Sequence, residues 1–320
     1  MFSYRAEDDE SIPIAKEAHS KKIIYLNMEE PQAESNRVHY SSAKLSECVS
    51  CGKRFKSVQG YKYHINHVCN LNQRYHLISD NPIEPLPTTK RQVIYACGSQ
   101  ESGKSYRLAS YIYHWIHMFP DRPVVLISRH DYDPTFDMNT RDGFGNLERH
   151  IQRMKPSMDW IERKFKLEEF QDCLLAFDDI TCSNWSDNPD YKEQAKENKL
   201  IQDYLIELAV DCVQNARHTN TGVFITNHNL YDKNRGLSKV LSDITDTIVF
   251  PPTASDHHLT YYLKDYMGLN KENIDEIKAS QSRWVWIHRN APRYYITDHE
   301  VKRYDLRLSK SHTGDGTVDL

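Results

Sequence analysis

Beyond residue 90 the apolar positions fall into short runs of four to six, separated by longer stretches with helical spacing. The run at 93–97 (VIYAC) precedes helical spacing over 104–118, and a β-branched run follows at 123–128 (PVVLIS), which together predict a β-α-β unit. Further strands are expected at 173–177 (CLLAF), 222–226 (GVFIT) and 247–250 (TIVF), with a closing hairpin at 284–288 and 293–297. Ile201, Leu205, Leu208, Ala209, Cys212 and Val213 recur at three and four residues and predict an amphipathic helix, and a helix pair is expected over 258–280. Strands alternating with helices give an α/β fold whose sheet is mostly parallel, with helices on both faces.

Ahead of residue 90 the pattern changes. Residues 1–45 are polar with little periodicity and are expected to form a flexible arm; 46–71 hold a compact Cys/His segment. Residues 72–90 contain Pro82, Pro85 and Pro87, which marks a linker, so the α/β domain is placed at 91–300 and a polar tail at 301–320. No internal repeat is visible.

A chain of 320 residues that is 39% apolar can fill one full-sized core plus a small module. No run of about 18 apolar residues occurs, and residues 1–22 lack a basic start followed by an apolar stretch. The expectation is an intracellular protein without a membrane span. Seven cysteines, three of them clustered and four scattered through apolar runs, suit a reducing compartment. The formal net charge of −4 supplies no global attraction to nucleic acid, so such binding must come from local basic patches or an assembled oligomer.

The first candidate chemistry lies behind the 93–97 run. Gly98, Ser99, Gln100, Glu101, Ser102, Gly103, Lys104 and Ser105 fit the phosphate-loop pattern G-x-x-x-x-G-K-[ST] in full, between an expected strand and a helix running on from Tyr106. The glycines allow backbone N–H groups to turn inward on a polyphosphate, Lys104 adds a point charge, and the Ser105 hydroxyl is a Mg²⁺ ligand. The run at 174–177 ends in Asp178 and Asp179. Asp178 is read as holding Mg²⁺ through water and Asp179 as the general base for an attacking water, the other reading of the pair being a helix N-cap. Asn227, at the end of the 222–226 strand, is a γ-phosphate sensor candidate, although a strand-end turn also accounts for it. Arg217 is a candidate arginine finger acting across a subunit interface, with helix capping as its plain alternative and Arg235 as a rival.

The second candidate is the segment Cys48-x-x-Cys51…His64…Cys69. Two thiolates two residues apart grip one side of a tetrahedral Zn²⁺ while His64 and Cys69 close the other, with His67 an alternative fourth ligand. So short a segment needs the metal to fold. Lys44, Lys53, Arg54, Lys56 and Lys62 make it basic, but Gly60 occupies the mid-helix reading position, which fits a non-specific DNA grip or protein docking better than base reading.

Taken with the 215–218 NARH and 242–250 SDITDTIVF stretches, GSQESGKS and LLAFDD make the chain similar to the genome-packaging ATPases of poxviruses and other large DNA viruses, within the FtsK–HerA group of P-loop motors. The resemblance covers about residues 90–300 and implies a RecA/ASCE-like P-loop fold. It further implies ATP hydrolysis with Mg²⁺ by a ring-shaped homo-oligomer that drives double-stranded DNA into a capsid, and possible capsid or portal-like partners. A virus factory in host cytoplasm, or the virion, is the implied location. Asp179 stands where many of the wider group have Glu, and Asn227 where many have Gln. The Cys/His segment is not a general feature of the group. The alternative reading is a zinc-finger DNA-binding regulator whose P-loop domain is a nucleotide switch; a small-molecule phosphotransferase would need an Arg-dense lid, which 130–170 does not provide.

Overall fold

The computed structural model describes residues 1–20, 22–27, 46–47, 54–55, 76–89, 91–137, 147–181, 184–215, 217–228, 243–251 and 256–304. Three N-terminal strands come first: β1 (Phe2–Ser3), β2 (Ile12–Glu17) and β3 (Ile23–Leu26). β4 (Ser46–Glu47) and β5 (Arg54–Phe55) pair antiparallel with each other, and β6 (His76–Ile78) and β7 (Ile83–Pro85) follow. The large domain then runs β8 (Val93–Cys97), α1 (Lys104–Met118), β9 (Val124–Ile127), α2 (Pro134–Asp137), β10 (Ile151–Met154) and α3 (Met158–Arg163). After these come β11 (Leu174–Phe177), α4 (Tyr191–Asn215), β12 (Gly222–Asn227) and β13 (Asp246–Val249). α5 (Asp256–Tyr261) continues into a π-helical turn at Tyr262–Tyr266, and α6 (Lys271–Ala279), β14 (Val285–His288), β15 (Tyr294–Ile296) and β16 (Glu300–Arg303) complete the order.

One sheet has the order β10-β9-β11-β12-β8-β13-β14-β15-β16-β6. Its first six strands are parallel and the rest antiparallel. Every residue of β8, β9, β11, β12 and β13 is buried, which is why β8, β9 and β11 read as unbroken apolar runs, while β12 and β13 also bury Thr226, Asn227, Asp246 and Thr247: helices cover a parallel sheet on both sides. Side chains alternate between two cores. Val93, Tyr95, Cys97, Leu175, Phe177, Val223 and Ile225 face α4, α5 and α6. Ile94, Ala96, Leu174, Ala176 and Phe224 face α1, which lies beneath the N-terminal sheet β1-β3-β2-β7. This is a doubly covered, mixed but mainly parallel sheet, the arrangement expected of a P-loop fold, with one strand, β12, between β8, which leads into Gly98–Ser105, and the acidic strand β11.

The structure redraws the expected N-terminal organisation. Residues 2–20 and 22–26 are not an arm: Ile14, Ala15, Ile24 and Leu26 are buried, and β2 pairs with β7 inside the expected linker. Proline is compatible with β7 because it is an edge strand. Glu17, only 3% exposed, organises this region: its carboxylate accepts hydrogen bonds from Tyr4 (2.6 Å), Ser79 (2.6 Å), Asn81 (3.2 Å) and Ser20. Burial by itself raises a carboxyl pKa, but these donors outweigh it and hold Glu17 down at about 2. Glu84 ties the sheet to α1, 3.1 Å from His114 Nε2 and 3.5 Å from Lys16 Nζ. Two further strands were not expected, β10 at the parallel edge and β16, which crosses the expected boundary at residue 300. Cys48, Cys51, His64, His67 and Cys69 lie outside the described residues, and among those described no cluster of three or more His, Cys, Asp or Glu side chains is arranged to hold a metal ion. No described helix is long and apolar enough to cross a membrane.

Because the Glu17 pKa is depressed from 4.5, its stabilising contribution is present above pH 4.5 and lost as pH falls from there toward about 2. Glu17→Gln, which leaves buried donors poorly matched, is expected to cost about 1–3 kcal/mol at neutral pH and to flatten the acid limb of the stability curve, as read by thermal unfolding at a series of pH values.

Candidate nucleotide-binding site

The strand register builds the site. Tyr95 pairs with Ile225 and Ile225 with Phe177, so the next residues along each strand, Ala96, Thr226 and Asp178, reach the same level at the C-terminal edge. Ligands of open α/β sheets bind at that edge. Gly98 leaves β8 with its N–H donating to the Asn227 carbonyl (3.2 Å), and the loop then turns through Glu101 at φ 63° and Gly103 at φ 102° into α1. Gly103 supplies a left-handed conformation that side chains resist. At Gly98 the constraint is space, since a Cβ would sit 2.6 Å from Ser102 Oγ and 2.8 Å from Phe250 Cδ2.

Lys104, 5% exposed, folds back over the loop and donates to the carbonyls of Gly98 (3.1 Å) and Ser99 (2.9 Å). Burial lowers its pKa, with Asp179 and Asp178 acting in the opposite direction. Asp178 reaches toward α1: Ser105 Oγ lies 3.4 Å from its Oδ1, and Thr226 donates to the same oxygen at 3.0 Å. Burial, reinforced by the neighbouring Asp179, pushes the Asp178 carboxyl up to about 6. Asp179 turns out of the strand at φ 50°, and its N–H donates to Thr226 Oγ1 at 2.7 Å.

His228 joins these groups, one residue beyond the strand end. Its Nε2 is 3.3 Å from Asp179 Oδ1 and its Nδ1 is 3.4 Å from Lys104 Nζ. The residue expected at this strand end from the sequence is Asn227, and the period of two explains the difference. Asn227 shares its face with Val223 and Ile225 and points toward the α4 core, fully buried, where it donates to Tyr95 Oη (2.9 Å) and accepts from Thr181 (2.7 Å). Thr226 and His228 share the α1 face with Phe224, where the loop lies. Counting from the apolar positions of β12 would have found both.

Arg217 is exposed, with its Nε donating to His218 at 3.2 Å. It precedes the start of β12, at the sheet edge opposite Gly98–Ser105, so it does not reach the loop of its own chain. Arg235 lies outside the described residues.

Two observations fit a polyphosphate to the loop. Ser102 Oγ is buried with no hydrogen-bond partner, and the space over Gly98 is too tight for any side chain. The donor set at the edge fits Mg²⁺, a hard cation that takes oxygen ligands: the Ser105 hydroxyl and the Asp178 carboxylate converge from α1 and β11. A cation there would offset the carboxyl charge that burial disfavours.

No known protein-family profile matches the chain. Over 252 residues it is 26% identical to an uncharacterized protein, V3, of Sputnik virophage, covering 78% of this chain and 92% of that one. Among solved structures, the genome packaging NTPase B204 of Sulfolobus turreted icosahedral virus 2, in complex with ATP-gammaS, superposes with a TM-score of 0.42 at 14% identity, over 65% of this chain and 97% of that chain. The pCW3 conjugation coupling protein TcpA superposes at 0.41 with 11% identity, over 90% of this chain and 76% of that chain. All three are distant likenesses.

Gly98→Ala is expected to weaken nucleotide binding at least tenfold, about 1.4 kcal/mol, with little loss of secondary structure. Titration with a fluorescent ATP analogue, alongside circular dichroism, checks this; unchanged affinity would remove the loop from the binding site.

Proposed function

We propose that the chain is an ATP-hydrolysing motor that moves double-stranded DNA, working as a ring of identical subunits in viral genome packaging. The observation that carries the nucleotide part is the convergence of Lys104, Ser105 and Asp178 on one edge of the sheet, around a loop whose Ser102 hydroxyl is buried and unpartnered. Residues 98–106 bind the triphosphate through loop N–H groups and the N-terminus of α1. Ser105, and Asp178 through water, would hold Mg²⁺, which would offset the negative charge of the bound phosphates.

Asp179 then orients the attacking water and accepts its proton on a carboxylate oxygen. Its Oδ1 is buried without a hydrogen bond, His228 being near but outside donor geometry, so that oxygen has acceptor capacity to spare. Lys104 exchanges its present carbonyl acceptors for phosphate oxygens. His228, touching both Lys104 and Asp179, positions the two relative to each other, a role distinct from the γ-phosphate sensing expected of Asn227. Arg217, remote from its own loop, is placed to act only on a neighbouring subunit's nucleotide.

DNA translocation rests on the resemblance of the sequence motifs to packaging motors, as do the ring and any capsid or portal-like partner. Cys48, Cys51, His64 and Cys69 are proposed to hold Zn²⁺ on their spacing alone, giving a small basic module for DNA or protein docking.

ATP turnover by the purified protein, with and without long duplex DNA at stated salt, tests the reading. DNA is expected to stimulate turnover; a turnover rate indifferent to DNA favours the nucleotide-switch alternative. Lys104→Ala should abolish hydrolysis, and Asp179→Asn should keep ATP binding while lowering kcat by about 100-fold or more. His228→Ala is expected to reduce kcat with little change in KM, and His228→Gln to recover part of the loss; equal loss in both variants would make the histidine merely structural.

A further inference from the structure

The outer face of α4 carries one continuous stripe of exposed charge: Lys192, Lys196, Lys199, Asp203, Glu207 and Asp211, at spacings of three or four residues. The sheet-facing side is taken up by Ile201, Leu205, Leu208, Ala209 and Cys212, so the stripe plays no part in the core. Its order is unfavourable for the helix that bears it. Lysines occupy the positive end of the macrodipole and carboxylates the negative end, the reverse of the stabilising arrangement. Within each half, like charges also sit one turn apart, which destabilises further. Relief inside the chain is slight: Lys196 pairs with Glu193 at 2.6 Å, Asp211 accepts from Asn215 at 2.7 Å, and no ion pair joins one stripe residue to another.

The pattern becomes favourable when the stripe meets a reversed copy of itself. About a two-fold axis at the level of Ile201 and Gln202, Lys192 falls opposite the partner's Asp211, Lys196 opposite the partner's Glu207 and Lys199 opposite the partner's Asp203. Leu200, 50% exposed, lies beside the axis, where the two copies would cover each other's apolar surface. We propose that the exposed face of α4 is a self-complementary interface on which two copies of this chain pair antiparallel. The contact is isologous and closes at two copies. One helix per side covers less than the roughly 800 Å² of a standard interface, so the pairing is weak and governed by ionic strength. It is independent of the ring and of the nucleotide reading.

Charge exchange tests it on the full chain. Light scattering at about 50 mM salt should show mass moving from one assembly to two as concentration rises, with the shift abolished at about 500 mM, where screening lengths fall to a few ångströms. The triple variant Lys192→Glu, Lys196→Glu, Lys199→Glu and the triple variant Asp203→Lys, Glu207→Lys, Asp211→Lys should each lose the low-salt association, because their stripes carry a single sign. Mixing the two variants in equal amounts should restore it. Association that survives either triple change, or that the mixture fails to regain, overturns the proposal. ATP turnover on the same samples reports separately on the phosphate loop, so loss of pairing with turnover intact and loss of turnover with pairing intact are distinguishable.

Discussion

The backbone ladder that joins β12 to β8 on one side and to β11 on the other holds the site together. Strands in a ladder lie a little under 5 Å apart, so two steps across the sheet separate the phosphate loop from the acidic strand by about 10 Å. That gap is spanned by side chains alone: Ser105 and Lys104 from the α1 end, Asp178 from β11, with Thr226 of the intervening strand holding the carboxylate in place. A slip of one residue in either pairing would turn Asp178 away from α1 and bring Phe177 to the loop. Full burial of all three strands makes such a slip costly, because it would carry apolar side chains off both cores.

α1 has to be rigid for this arrangement to work, and the fold clamps it from two sides. Below, Trp115 packs against the sheet at Gly222, where an added Cβ would come within 3.1 Å of the indole. Above, the N-terminal sheet lies across the helix, and the Glu84 carboxylate meets His114 on its upper side. The residues that first suggested a loose arm thus complete the second core. The helix carrying Lys104 and Ser105 is buried along most of its length.

How much of this was legible in the sequence depends on burial. Strands covered on both faces, such as β8, β11 and β12, announce themselves as apolar runs, and the phosphate-loop residues declare their chemistry by spacing. Short strands covered on one face do not. β16 fully buries only Val301 and leaves its other three residues half-buried, and β10 is an edge strand with no fully buried residue. β3 alternates, but in β2 a register shift between Pro13 and Ala15 and the burial of Glu17 break the pattern, since a carboxylate satisfied by four donors can be buried without any apolar signal. The strand-end assignment went to Asn227 for a related reason: residue type suggested a polar contact, whereas the facing of the strand decided which residue makes it. His228 carries no local signal beyond its place two residues after Thr226.

The chain leaves the N-terminal sheet after β3, and farther along it β6 joins the large sheet beside β16 while β7 rejoins the N-terminal sheet beside β2. Closing a longer span between two fixed points costs only about 0.6 kcal/mol for each doubling of its length. A change of chain length between β3 and β6 therefore carries little penalty for the two sheets that hold its ends.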